Sequence, residues 1–350
     1  MRVLSASEAI SPAIERTKQV LFQPFQKGRS WKLAATAYLA LAGNFFLPTP
    51  LVLLAFLGLP GEPSFSGAGV PLILGTFAAL GSLLMFLLFY AGVRLEFVLF
   101  DLVLTRARMV APIWRKYGFC TWRWVGIKLL LSTIFIVVCG IPLLSVFRYA
   151  TTHMPAAGQQ PTPEFVSGII AAYGVMALAF LVLSLCASLL NDFVLPSIAL
   201  ENTSLSEGLM CFFELFRKEP GQLVSYIFFK VILYIAALVA TEIAILVAEL
   251  IAAIPLGIVA FLGWLLLHSH GSVGQILMVT GGVVLFLIFF VFLFYLTILV
   301  AGCTVVFFQA YVMYFLGGRY PMLGDRLEPP EPVYAAVAFP SDLPPAPASL

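Results

Sequence analysis

Between positions 275 and 317 the chain runs apolar without a single Asp, Glu, Lys or Arg. A run of this kind has few ways to fold. A bilayer core about 30 Å thick accepts ~20 consecutive apolar residues as one helix, and only structures that satisfy their own backbone can cross it. This run is too long for one perpendicular span, so it tilts, bends near Gly302 or projects out of the bilayer. Five further apolar runs cover positions 31–59, 71–90, 125–147, 165–190 and 223–253. The first is interrupted by Asn44, Pro48 and Pro50. The expected fold is therefore all-α: an integral membrane helical bundle of about six transmembrane helices. The stretch "IPLGIVAFLGWLLLHSHGSVG" after the fifth run has an apolar part too short to span, and is expected as a re-entrant piece or outer hairpin.

Composition agrees. Hydrophobic residues make up 61% of the chain and charged residues 10%, with a mean hydropathy of +1.04. Soluble domains carry about 25% charge. A net charge of +2 is too small to imply a nucleic-acid partner. The five cysteines are scattered without ligand spacing, so neither a disulfide framework nor a metal site is expected. No cofactor motif is evident, and bound lipid is the expected ligand class.

The charges set the direction of threading. Of 19 Lys and Arg residues, only Arg148 lies beside a loop on the second side. The rest lie in the N-terminal segment, the connectors 94–128 and 217–230, or the tail. Basic residues retained in the cytoplasm define orientation, so both termini are expected in the cytoplasm, with the protein multi-pass in a bacterial inner membrane.

The basic corners also repeat. Trp114-Arg115-Lys116 aligns with Phe216-Arg217-Lys218, and Lys128 and Lys230 each follow the aromatic residue by the same interval. Upstream, "EFVLFD" (96–101) resembles "DFVLPS" (192–197). The repeated unit reads as a cytoplasmic amphipathic helix, a basic corner, a rising helix, an outer turn and a descending helix. The N-terminal segment supplies a shorter first copy. The expected organisation is an amphipathic interfacial helix in 1–29, a membrane domain in 30–318 with units near 10–93, 94–191 and 192–318, and a Pro-rich cytoplasmic tail in 319–350. In the first helix, Ile10, Ile14, Leu21 and Phe25 share the expected apolar face, with Glu15 and Arg16 away from it.

Arg115, Lys116, Arg217 and Lys218 are expected among anionic headgroups, at roughly 1 kcal/mol per charge. Lys128 and Lys230 are expected to snorkel to the same interface, where Trp122 and Trp124 serve as anchors. Arg94, Glu96, Asp101, Arg106 and Asp192 are expected to form a cytoplasmic ion-pair layer; a headgroup-binding basin is the other reading.

These segments resemble a group of uncharacterised bacterial polytopic membrane proteins. The likeness rests on "FVLFDLVLTRARMVAPIWRKY" (97–117), "DFVLPSIAL" (192–200) and "LFQPFQKGRSWKLA" (21–34). More distantly, the architecture is similar to membrane domains attached to some bacterial glycerophosphodiester phosphodiesterases. This chain has no room for their catalytic domain and no histidine–carboxylate cluster, so the resemblance implies a fold and no chemistry.

Glu242 and Glu249 stand out. They are seven residues apart, on one helix face and about 10 Å apart along the axis, with Glu242 about 18 Å beyond Lys230. An intramembrane carboxylate costs roughly 2.5–3.5 kcal/mol and marks a functional candidate. Asn44 beside its prolines suits either a broken transporter helix or an interhelical hydrogen bond. No hydrolase, zinc-protease or nucleotide-binding motif occurs. The expectation is a non-enzymatic protein: an accessory subunit or lipid-interacting scaffold of a membrane complex. Its partners are membrane lipids and other membrane subunits, with the tail as a contact. The alternative is a small-solute, ion or proton transporter using Glu242 and Glu249.

Overall fold

The structure is a computed structural model that describes residues 2–23, 27–44, 46, 69–107, 109–152, 162–268 and 271–328. Every regular element among these residues is helical. The elements are α1 (Ile10–Phe22), α2 (Lys27–Ala40), α3 (Gly69–Thr105), α4 (Val110–Lys116), α5 (Gly118–Phe135), α6 (Ile141–Thr152), α7 (Pro163–Glu201), α8 (Leu205–Lys218), α9 (Pro220–Leu267), α10 (Gly271–Gly317) and α11 (Pro321–Leu327). A 3-10 turn, Leu41–Gly43, closes α2, and a single π turn, Ile136–Gly140, joins α5 to α6 as one rod.

Local chemistry sets the ends. Thr162 caps α7 and accepts from the Phe165 amide, with Pro163 in the first turn, where its missing N–H costs nothing. Ser204 and Glu207 form a reciprocal capping box on α8. The descending helices α3 and α7 are followed by Arg106 and Asn202, both left-handed at φ 55°. Asn adopts that conformation readily, and it turns the chain out of the helix at each place.

Five helical segments are long and apolar enough to cross a membrane: Ile73–Thr105, Gly118–Tyr149, Pro163–Glu201, Pro220–Leu267 and Gly271–Gly317. The expected first span, 31–59, extends beyond the described residues. Packing is concentrated at one end of the bundle. There α10 sits centrally, against α1, α2, α3, α9 and α11, and its last turns from Ala310 to Gly317 are wholly buried. Away from this end the helices bare their side chains all round, as at Leu83, Leu178 and Phe290. A rod that is apolar on every face belongs in lipid.

Two close crossings bind the first helices to this core. A Cβ on Gly43 would lie 2.4 Å from the Val93 amide nitrogen, and one on Gly92 would lie 2.3 Å from that of Gly43. A Cβ on Gly302 would lie 2.3 Å from the Ala34 carbonyl. Backbone meets backbone at both points, so only glycine fits.

The structure departs from the sequence reading in three places. The stretch after position 253 is not a separate element, because α9 continues through Pro255 to Leu267 over 48 residues. Proline inside a helix is tolerated in such surroundings. Second, α1 does not present an Ile10/Ile14/Leu21/Phe25 face with Arg16 outside. Ala13, Arg16, Thr17 and Val20 are buried while Ile14 is 43% exposed; Phe25 lies outside the described residues. Third, residues 319–328 belong with the membrane domain, because Leu323 and Leu327 of α11 are buried in the core. Most of the Pro-rich tail lies outside the described residues.

Candidate functional site: two buried acid–lysine clusters

The polar interior is built twice. Glu96 on α3 is buried, and accepts a hydrogen bond from Lys128 Nζ at 2.9 Å and from Trp124 Nε1 at 3.1 Å. Trp124 and Lys128 lie one turn apart on α5, so both donors face the acid together. The Lys128 side chain is only 2% exposed. Asp192 on α7 likewise accepts from the Tyr226 hydroxyl at 2.8 Å and forms an ion pair with Lys230. Lys230 also donates to Ser188 Oγ at 2.7 Å. Tyr226 and Lys230 again lie one turn apart, on α9. Each rising helix thus donates an aromatic N–H or O–H and a lysine to a carboxylate on the neighbouring descending helix.

This corrects the snorkelling expectation. Lys128 is not at the headgroups, and Trp124 is fully buried rather than an anchor. A carboxylate at hydrogen-bond distance holds the ammonium inside, and such charge-assisted bonds are the strong ones. Trp122 does stay exposed, with its ring 4.9 Å from that of Tyr90.

The remaining layer residues divide. Asp101, buried, pairs with Lys116 at 2.9 Å. Burial also pushes the hydroxyl of neighbouring Tyr117 above its usual range. Among the described residues Arg94 finds no carboxylate: its guanidinium donates twice to the Trp114 carbonyl, at 2.7 and 3.0 Å, and stacks on that ring. Arg106, Arg115, Arg217 and Lys218 are exposed, and Lys218 approaches Glu214 at 4.0 Å. The acids of this layer thus take lysines as partners rather than arginines. Sequence reasoning missed Tyr226 and Ser188 of the second cluster, and also Arg16. It donates through Nε to the Val103 carbonyl at 2.9 Å and through a terminal nitrogen to that of Leu104. These carbonyls end α3 and have no helical donor of their own. Burial draws the Arg16 guanidinium below its usual value.

Glu242 and Glu249 stay apart from these clusters, and no ion pair reaches either among the described residues. Glu242 is exposed on the outside of α9, and Glu249 is half-buried. Asn44 ends the turn after α2, where its amide donates to the Leu41 carbonyl at 3.1 Å; Pro48 and Pro50 lie outside the described residues. A cavity of about 220 Å³ opens between α7, α8 and the end of α10, beside Ser197, Lys218 and Arg319. Its guanidinium is already committed to Glu219 at 3.0 Å and to the Leu4 and Phe315 carbonyls. Among the described residues no group of His, Cys, Asp and Glu side chains has the geometry of a metal site.

No curated protein and no solved structure matches this chain, so the likeness to the membrane domains of glycerophosphodiester phosphodiesterases finds no support there. One family model does match, over residues 4–326. The chain therefore belongs to the family of unknown function DUF7544.

Proposed function

We propose that this chain is a non-enzymatic integral membrane protein, a structural or accessory subunit that interacts with lipid and serves as a scaffold in a membrane complex. One observation carries the reading: the acids and lysines buried inside the bundle are spent on one another. Glu96 with Lys128 and Asp192 with Lys230 join neighbouring helices at one end of the bundle. A buried pair of this kind specifies how helices meet more than it adds stability.

The same clusters support a construction from three helix-hairpin units. The acid, the aromatic donor and the lysine recur in order as Glu96, Trp124, Lys128 and as Asp192, Tyr226, Lys230. The left-handed turns at Arg106 and Asn202 each follow the acid by ten residues. The basic residues at this end favour the cytoplasmic face of a bacterial inner membrane, with both termini inside. Headgroup contact then falls to the exposed Arg115, Arg217 and Lys218.

Purification of the full chain from its native membrane in mild detergent tests the scaffold reading. Protein partners or lipid retained at a fixed ratio are expected, and a lone, lipid-free, monodisperse protein would overturn it. The transporter reading keeps one supporting observation, the exposed Glu242 within the span. Proton flux into vesicles holding E242Q/E249Q decides it, since flux equal to that of the unaltered chain removes the route.

A further inference from the structure

The third hairpin is too tall for the membrane that its neighbours define. From Lys128 to Arg148 the rod α5–α6 rises about 30 Å at 1.5 Å per residue, which is one hydrocarbon thickness. From Lys230 to Glu249 the rise along α9 is about 28 Å by the same measure. Lys128 itself is buried in the bundle rather than at the headgroups, so Arg148 and Glu249, a hydrocarbon thickness further on, stand at the distal boundary or past it. Yet α9 continues to Leu267, about 27 Å further. Between positions 250 and 318 there is no Asp, Glu, Lys or Arg.

The part beyond Glu249 is apolar on all sides. Phe261 is 61% exposed, Leu266 66%, Ile276 66% and Val279 69%. A protein partner leaves an apolar stripe on one face, whereas cover on every face is the signature of lipid. An apposed bilayer would require the hairpin to cross two headgroup layers, and no polar stretch lies between Glu249 and the apex at 268–272 for that. Near the apex, Trp264 stacks on His268 with ring centroids 4.9 Å apart, a pairing suited to a lipid–water interface.

Both helices carry a weak point at one height. Pro255 lies twelve residues before the end of α9, and Gly281 and Gly282 lie ten and eleven residues after the start of α10. A Cβ on either glycine would meet nothing within 4 Å, so close packing does not call for glycine there. Proline removes a helical hydrogen bond, and glycine lowers the cost of bending.

We propose that the hairpin tip, Leu256–Leu267 of α9 with Gly271–Thr280 of α10, lies in the distal leaflet of the protein's own membrane, turned into it at a double hinge of Pro255 and Gly281–Gly282. The tip then adds a wide, uncharged wedge to that leaflet and leaves the other untouched. This goes beyond the scaffold reading and requires only that the chain spans a bilayer.

Nitroxides on single cysteines at Phe261 and Val279 of the full chain, in vesicles of phosphatidylcholine and phosphatidylglycerol, test it. Accessibility several-fold higher to oxygen than to a water-soluble nickel chelate is expected at both positions. A label at Arg217 should show the reverse order. Preferential access of the chelate to the tip would overturn the proposal, because the tip would stand in water. Shielding from both probes would also overturn it, because protein would cover the tip. The hinge has its own arm. P255L/G281A/G282A, with helix content checked by circular dichroism, should straighten the pair and raise chelate access at Phe261 several-fold. Unchanged depth in a folded variant would remove the hinge.

Discussion

Lys128 and Glu96 are separated by 32 residues in the chain and by 2.9 Å in space, and both are buried. Removing one member strands the other in an apolar interior, which costs about 3–5 kcal/mol. K128M and E96Q should each lower the thermal midpoint of the detergent-solubilised protein by many degrees. The double variant K128M/E96L should recover most of the loss, because apolar packing of similar volume replaces such a pair at little cost. A double variant no better than the singles would show that the pair does more than join two helices.

Tyr226 and Lys230 share one acceptor, the same oxygen of Asp192. Y226F should cost about 1.5–3 kcal/mol, the value of a hydrogen bond to a charged group, and K230M should cost more. Because the two donors share an oxygen, their losses should fail to add in a double-mutant cycle read by thermal unfolding. Simple additivity would mean that the donors act independently.

Glycines at the crossings should tolerate nothing larger. G302A and G92A force a methyl into a backbone at less than 2.5 Å, and each should destabilise by at least 1–3 kcal/mol, as overpacking does. G126A is the contrast, because a Cβ there meets nothing within 4 Å. It should leave stability unchanged or raise it by up to ~1 kcal/mol through helix propensity. Thermal midpoints of the three variants check the ordering.

Acid should loosen α8 at its start. Backbone and side-chain hydrogen bonds from Ser204 hold the Glu207 carboxyl below its usual range. A depressed folded-state pKa stabilises above the ordinary carboxylate value, and this contribution fades as pH falls through the folded value. Hydrogen exchange at the Glu207 and Gly208 amides, corrected for intrinsic pH dependence, should therefore quicken in acid relative to E207Q. Equal pH profiles for the two proteins would rule out this role for the box.

The sequence displayed five of its spans plainly, because apolar length alone decides them. It also displayed the ingredients of the clusters: a recurring acid at 96 and 192 and a recurring lysine at 128 and 230. Their pairing was hidden because a lysine near an interface is satisfied equally well by headgroups or by a carboxylate. Only the fold, which brings Lys128 of α5 beside Glu96 of α3 and Lys230 of α9 beside Asp192 of α7, chooses between them. Arg16 was hidden for a related reason. Its acceptors are the backbone carbonyls of Val103 and Leu104, and carbonyls carry no residue signature. The stretch after position 253 was measured apart from the run before it and so read as too short to span, whereas α9 joins the two.

Arg319 donates to the Leu4 carbonyl at 2.9 Å, and a Cβ on Gly318 would meet the Arg2 carbonyl oxygen at 2.4 Å. Residues 2–4 are thus clasped by residues made about 315 positions later. Until α10 is made, α1 and α2 have only α3 to dock against, and the early hairpins must wait in the translocon or among lipids with their acids already matched. A chain cut short before α10 would be inserted and still unlatched, which makes α10 the step that commits the whole assembly.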